Sequence, residues 1–154
     1  MRRLAVGVAL AAAAILSAAE GCGRKTDVKP PQLVAPQAIR KLAATNEEKG
    51  IRISWERPNE YVDGSAMHDL AAFRIERSLA EGPFLPLKKV EVTDRDRFRQ
   101  IRRFRLVDAG AKPNERYRYR VVSFTLDGHV SGPSNIVAIE RIVPPPSTPA
   151  PKAP

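Results

Sequence analysis

The sequence predicts an all-β sandwich that lies between two disordered, proline-rich tails. Several short segments alternate apolar and polar residues with a period of two, which places one face of a strand in a core and the other in water. Turn-forming residues separate these segments, and none of the chain carries the pattern of a long amphipathic helix. Within 154 residues, the part between the tails is long enough for one small domain.

The strand pattern is clearest in four segments, namely residues 51–55, 73–77, 117–121 and 136–139. Glycine, proline, asparagine and aspartate mark the connections between them, for example at Asp63-Gly64 and Asp127-Gly128. The apolar positions of the predicted strands should meet between two sheets. The expected core residues are Ile53, Trp55, Phe73, Ile75, Leu106, Tyr119, Val121 and Ile136.

Several motifs, in the right order, resemble the fibronectin type III family from about residue 36 to residue 141. Trp55 follows an alternating strand and precedes Glu56-Arg57-Pro58, as the second-strand tryptophan of that family does. Residues 111–117 resemble the turn into the sixth strand, although Ala111 replaces the family's leucine. The resemblance implies a seven-stranded, immunoglobulin-like sandwich in which the hydroxyl of Tyr117 bonds back to nearby backbone.

The N-terminal segment resembles the signal peptide and lipobox of bacterial lipoproteins. Arg2 and Arg3 precede an uncharged run over residues 4–19, and the small residue Gly21 stands before Cys22, which is the only cysteine. The resemblance implies that the chain is cut before Cys22 and that this thiol carries a diacylglycerol. Glu20 departs from the family pattern. Apart from this covalent lipid, no cofactor is expected.

Two other interpretations of this segment remain open. A transmembrane anchor would need about 20 apolar residues, and the uncharged run has 16. An ordinary signal peptide cut after Ala19 would leave Cys22 as a free thiol in an oxidising compartment, where a lone cysteine calls for a special explanation. Lipidation supplies that explanation, and we therefore favour the lipoprotein interpretation.

These observations divide the chain into four parts. We predict a signal peptide at residues 1–21, an acylated cysteine and flexible tether at 22–36, a fibronectin type III domain at 37–142 and a disordered proline-rich tail at 143–154. By resemblance to enteric lipoproteins, Gly23 in place of an aspartate favours the periplasmic face of an outer membrane. The formal charge of +9 favours anionic envelope partners, and an exported chain is not expected to bind nucleic acid.

An arginine-rich segment at residues 95–105 is the local feature that could bind a ligand. Arginine forms forked hydrogen bonds to phosphate and carboxylate groups. The alternative, which we favour, is an exposed loop followed by a strand whose outer face is arginine and whose inner face carries Phe104 and Leu106. The candidate anion-binding residues are Arg97, Arg99, Arg102, Arg103 and Arg105.

The sequence lacks the signatures of a catalytic or metal site. His68 and His129 have no cysteine or carboxylate neighbours at the spacing of metal ligands, and neither a nucleophile elbow nor a phosphate-binding loop is present. We therefore expect a membrane-anchored envelope lipoprotein that is not an enzyme. Its domain would bind or scaffold another envelope protein or an anionic envelope polymer. The alternative is an accessory protein that binds anionic lipid or lipopolysaccharide through the arginine-rich segment.

Overall fold

A computed structural model describes residues 30, 34–98 and 102–145. Cys22, the signal-like segment and the end of the tail lie outside the described residues, as do Arg99 and Ile101. No helix within the described part is long and apolar enough to cross a bilayer. The elements are β1 (Ala43–Glu47), β2 (Gly50–Glu56), β3 (Leu70–Leu79), β4 (Leu85–Glu91), the single helical turn α1 (Asp94–Phe98), β5 (Arg103–Asp108), β6 (Arg116–Thr125) and β7 (Val137–Glu140).

The described strands form two antiparallel sheets. One has the order β1-β2-β5 and the other the order β4-β3-β6-β7. This confirms the predicted all-β sandwich of seven strands. The strands β1 and β4 lack a clear alternating pattern in the sequence, because β1 is nearly devoid of large apolar residues and β4 contains Pro86, two lysines and a register shift.

The two ends of the sandwich receive different parts of the chain. The start of β1, the end of β2 and the start of β5 lie together, since Ala43 pairs with Ser54 and Glu56 pairs with Arg103. We call this end the N-terminal pole. At the opposite end, the C-terminal pole, Pro144 and Pro145 pass beside the turn between β1 and β2. The chain therefore enters the domain at one pole and leaves it at the other.

An aromatic cluster fills the core near the N-terminal pole. Trp55 is 1% exposed, and its ring centroid lies 5.4 Å from that of Phe73 in an edge-to-face arrangement. Phe104 of β5 closes the cluster at 4.7 Å from Phe73. Such aromatic pairs add to the stabilisation that comes from burial alone. Tyr117, Tyr119 and Val121 of β6 are buried further along the same interior.

One expected core residue is placed wrongly by the sequence pattern. Ile136 is 53% exposed, and β7 begins only at the next residue. The amide side chain of Asn135 accepts from the backbone N–H of Leu42 and donates to its carbonyl, both at 3.0 Å. Because these bonds fix the chain ahead of β7, Val137 and Ile139 pack against the core while Ile136 faces water. Leu106 is partly buried against the core.

The corner that leads into β6 has the form that the family resemblance implies. The backbone N–H of Lys112 donates to the Tyr117 hydroxyl at 3.0 Å, and that hydroxyl donates to the carboxylate of Glu115. Asn114 adopts a positive φ of 61°, a conformation that asparagine tolerates better than most residues. The corner therefore ties the turn between β5 and β6 to the buried ring of Tyr117.

Candidate functional site

The outer face of the three-stranded sheet carries a cluster of cations. Strand alternation turns Arg52 of β2 and both Arg103 and Arg105 of β5 away from the core, and register places Arg105 opposite Ser54. Lys41, just before β1, lies at the rim of the same surface. These four residues, Lys41, Arg52, Arg103 and Arg105, line a shallow groove of about 620 Å³, and we call them the basic face.

Cations exceed carboxylates on the basic face. Glu56 accepts hydrogen bonds from Lys41 at 3.2 Å and from Arg103 at 3.4 Å, and Arg52 pairs with Glu47 at 2.6 Å. The bond from Lys41 holds the pKa of Glu56 below its usual value. Arg105 forms no ion pair with a described residue. Exposed ion pairs of this kind contribute little to stability, so an incoming anion could replace them at small cost.

The structure divides the five candidate arginines. Arg103 and Arg105 lie together on the basic face, with Phe104 and Leu106 packed against the core, as the strand interpretation predicts. Arg102 is exposed just before β5 at the N-terminal pole. The backbone of Arg97 belongs to α1, whereas its side chain and the whole of Arg99 lie outside what the structure describes. Proximity on one surface is therefore shown only for the two strand arginines.

Sequence reasoning missed Lys41 and Arg52 as members of this surface. Arg52 has a visible signal, because it occupies an outward position in the alternating strand at residues 51–55. What the sequence lacks is the register between β2 and β5, which brings Arg52 onto the same face as Arg105. Lys41 precedes a strand that the sequence pattern does not reveal.

The outer face of the four-stranded sheet is also rich in arginine, but Arg74, Arg118 and Arg120 there bond carboxylates. Glu76 accepts hydrogen bonds from Arg74 at 2.9 Å and from Arg120 at 2.6 Å. The guanidinium carbon of Arg120 lies 4.4 Å from the ring centroid of Phe84, within the range of a cation–π contact. Arg118 bonds Glu81 at 2.6 Å. These contacts hold β3 and β6 together, and we therefore assign this face a structural role.

A buried carboxylate joins the two sheets near the C-terminal pole. Asp108 is 4% exposed and accepts hydrogen bonds from the Tyr119 hydroxyl at 2.8 Å, from Arg77 at 3.0 Å and from the backbone N–H of Gly110 at 3.1 Å. Burial raises the pKa of Tyr119, and the hydrogen bond to Asp108 raises it further. A carboxylate with these three donors stabilises the fold by linking β3, β5 and β6.

The described histidines lie apart from any metal-binding group. Within residues 30, 34–98 and 102–145, no group of three histidine, cysteine, aspartate or glutamate side chains could hold a metal ion. His68 is exposed in the connection between β2 and β3, and His129 lies in the turn between β6 and β7.

A tyrosine at the N-terminal pole should make stability depend on pH. Burial, followed by the 2.6 Å hydrogen bond from its hydroxyl to Asp69, raises the pKa of Tyr61 from 10.0 to about 12. The folded state thus keeps this proton to a higher pH than the unfolded chain does, so stability should fall as the pH rises from about 10 to about 12. We expect urea unfolding to show this loss in the wild type relative to Tyr61→Phe, which lacks the titrating group. A difference between the two proteins that stays constant over this pH range would contradict the assignment.

Comparison with known proteins finds likeness in the fold. No protein-family model matches the chain, and no curated protein matches it. Among solved structures, the twitchin kinase region from C. elegans aligns with a TM-score of 0.51 at 15% identity, covering 71% of this chain and 17% of that one. The sixth fibronectin type III domain of human fibronectin type III domain containing protein 3 aligns with a TM-score of 0.49 at 20% identity, covering 75% and 92%.

A bacterial structure also aligns with the chain. An Fn3-like protein from Clostridium thermocellum aligns with a TM-score of 0.48 at 15% identity, covering 70% of this chain and 95% of that one. At these identities, the likeness concerns the fold alone. The strand order and the alignment with the twitchin region are those of a fibronectin type III-like sandwich, an architecture that hosts many functions. The chain spans 17% of the matched twitchin chain.

Proposed function

We propose that this protein is a bacterial envelope lipoprotein, anchored through a lipid on Cys22, whose sandwich is a non-catalytic binding or scaffolding domain. The observation that carries the binding role is the surplus of cations on the basic face. The partner is another envelope protein or an anionic envelope polymer. The identity of Gly23 favours the periplasmic face of the outer membrane as the location.

The contrast between the two sheet faces supports this choice of surface. On the four-stranded sheet, Arg74 and Arg120 both bond the buried carboxylate of Glu76, and their side chains are 40% and 33% exposed. On the basic face, the side chains of Lys41 and Arg103 are 76% and 85% exposed. Charges held in water on a regular sheet can attract an anionic partner at little cost to the fold.

The path of the chain is compatible with display from a membrane. The segment from Gly23 to Pro36 would reach roughly 40 Å if it were extended like polyproline, and it enters the domain at the N-terminal pole. A lipid on Cys22 would therefore leave the sides of the sandwich, including the basic face, accessible to partners. The tail would leave from the far pole.

The anchor is tested by the fate of Cys22. We expect wild-type protein from membranes to have the mass of a chain that begins at Cys22 and carries acyl groups, because the thiol is the acceptor of the lipid. Cys22→Ala should leave uncut precursor or release soluble protein, whereas Gly23→Ala should still be acylated. Intact-mass spectrometry of membrane and soluble fractions decides the matter. Membrane-bound Cys22→Ala with the wild-type mature mass would show that the lipoprotein assignment is wrong.

A second candidate function is binding of anionic lipid or lipopolysaccharide through the arginine-rich segment. One observation favours it, namely that α1 and Arg102 lie in the connection between β4 and β5 at the N-terminal pole, where the tether enters. Each basic residue near an anionic membrane contributes about 1 kcal/mol, and the effect fades beyond a Debye length. A few such residues would support measurable binding without the acyl chain.

Vesicle binding tests this second candidate. Lipid-free protein comprising residues 23–154 should bind anionic vesicles at low salt, and moderate salt should weaken the binding because the attraction is electrostatic. Changing Arg97, Arg99, Arg102, Arg103 and Arg105 to glutamine should abolish it. A control with Lys112→Gln and Arg116→Gln, both exposed at the C-terminal pole, should bind like the wild type. Equal binding by the wild type and the five-arginine variant, or none by either, would reject lipid binding through this segment.

A further inference from the structure

We propose that the basic face receives an extended acidic segment of a partner protein, which adds as a new strand along the outer edge of β5. The inference rests on the proposed binding function and names the chemistry of the partner. In the order β1-β2-β5, β5 is an edge strand, and no described residue pairs with its outer side. An unpaired strand edge is a template for strand addition.

The hydrogen-bond pattern shows which backbone groups the edge offers. The N–H of Arg57 donates to the carbonyl of Arg102 at 2.8 Å, and in an antiparallel ladder such bonded pairs alternate with non-bonded pairs. The backbone groups of Phe104 and Leu106 therefore point toward β2. Those at the three intervening positions point toward the open edge, namely Arg103, Arg105 and Val107.

This edge differs from the other described edges of the sandwich. All six residues of β5 pair with β2 without a register shift. The strand β4 contains Pro86, Lys88 and Lys89 together with a register shift, all features that discourage strand addition. At the other side, β7 has only four residues, and Asn46 of β1 bonds the carbonyl of Glu140 at 2.8 Å, which ties β1 to β7.

Charge and burial define the side chains that the added strand should carry. Directly opposed residues on neighbouring strands bring their side chains together, and opposite charges there are favourable. Residues opposite Arg103 and Arg105 would lie on the outer face and should therefore be acidic. Residues between them would point inward beside Phe104 and Leu106, which are only partly buried, and should be apolar. The expected segment thus alternates acidic and apolar residues.

The chain itself does not provide such a segment in its tail. Residues 143–154 contain no aspartate or glutamate and are rich in proline, which has no N–H to donate to a strand ladder. A lipid surface would also lack the row of backbone groups that the β5 edge can bond. The occupant that fits both the edge and its charge is an acidic strand from another protein.

The test uses the full chain in detergent and a capped synthetic peptide of about eight residues, a typical strand length, that alternates glutamate and valine. A second peptide of the same sequence carries N-methyl groups at alternate amides, which removes the donors that would face β5. A third has lysine in place of glutamate. Binding is measured by calorimetry, and circular dichroism checks that each variant is folded.

We expect the glutamate peptide to bind and its N-methylated form to bind at least about tenfold more weakly, since ladder hydrogen bonds would be lost. The double variant Arg103→Glu with Arg105→Glu should bind the glutamate peptide about tenfold or more weakly than the wild type does, and it should bind the lysine peptide. The control pair Lys112→Glu and Arg116→Glu makes the same change in net charge at the far pole and should bind like the wild type.

Other results would overturn the proposal in distinct ways. Equal binding of the N-methylated peptide would reject strand addition but leave the basic face as a site for anions, so the proposed function would stand. Absence of binding by the glutamate peptide, or equal loss in the control pair, would reject the acidic strand as the occupant. Neither result depends on whether Cys22 is acylated, which the mass measurement tests separately.

Discussion

Replacing Trp55 by alanine should lower the free energy of unfolding by about 3–5 kcal/mol, the usual penalty for truncating a buried large aromatic. Trp55 packs against the rings of both Phe73 and Phe104, so truncation would open a cavity in this aromatic cluster. That loss is a large share of the stability of a small domain. Urea unfolding followed by circular dichroism gives the value, since this signal does not depend on the tryptophan.

Trp55→Phe is the matched control for this prediction. The indole Nε1 is buried and has no hydrogen-bond partner among the described residues, so a phenyl ring would remove an unsatisfied donor while it retains most of the aromatic contact. Trp55→Phe should therefore lower the free energy of unfolding much less than Trp55→Ala does. A native wild-type fluorescence spectrum that is red and readily quenched, or a negligible cost for Trp55→Ala, would contradict burial of this residue.

Replacing Asp108 by alanine should cost about 3 kcal/mol, because it leaves one partner of a buried charged pair without the other. Tyr119 and the N–H of Gly110 would lose their acceptor. The side chain of Arg77 is about one-third exposed and could recover part of its solvation, which keeps the expected cost at the lower end for such pairs. Urea unfolding at neutral pH measures the change.

A double-mutant cycle separates this network from simple loss of volume. Tyr119→Phe removes one donor to Asp108 and keeps the ring packed in the core. Suppose that the hydrogen bond at 2.8 Å contributes to stability. Tyr119→Phe should then lower the free energy of unfolding less in the Asp108→Ala background than in the wild type. Fully additive costs would indicate that the two side chains stabilise the domain independently.

The sequence predicts the sandwich because its central strands are strongly patterned. Alternation identifies β2, β3 and β6, because one face of each strand packs on the core and the other faces water. The spacing of Pro113 and Tyr117 identifies the corner. The alternating pattern is not visible in the edge strand β4. This strand carries proline and lysine, as edge strands do, and these residues interrupt the alternation of apolar and polar positions. Ile136 is apolar but exposed because the side chain of Asn135, bonded to the backbone of Leu42, sets the direction of the chain before β7.

The sequence predicts the candidate site only in part, because a local pattern does not show how neighbouring strands are paired. Alternation identifies Arg103 and Arg105 as outward residues of one strand. The same alternation at residues 116–120 places Arg118 and Arg120 outward, yet these bond to Glu81 and Glu76. Whether an arginine meets a carboxylate across a sheet depends on the register between strands, and that register is not visible in a local pattern.

Photo-crosslinking in intact cells tests most directly the central claim, that the basic face of a membrane-held domain binds an envelope partner. A photoreactive residue replaces Ser54, which lies among Arg52, Arg103 and Arg105, or Lys89 on the outer edge strand β4 of the other sheet. We expect position 54 to give an adduct with one envelope component and position 89 to give little. The adduct from position 54 should be lost when Arg103 and Arg105 are changed to glutamate. Adducts of equal yield from both positions, or from position 89 alone, would contradict it.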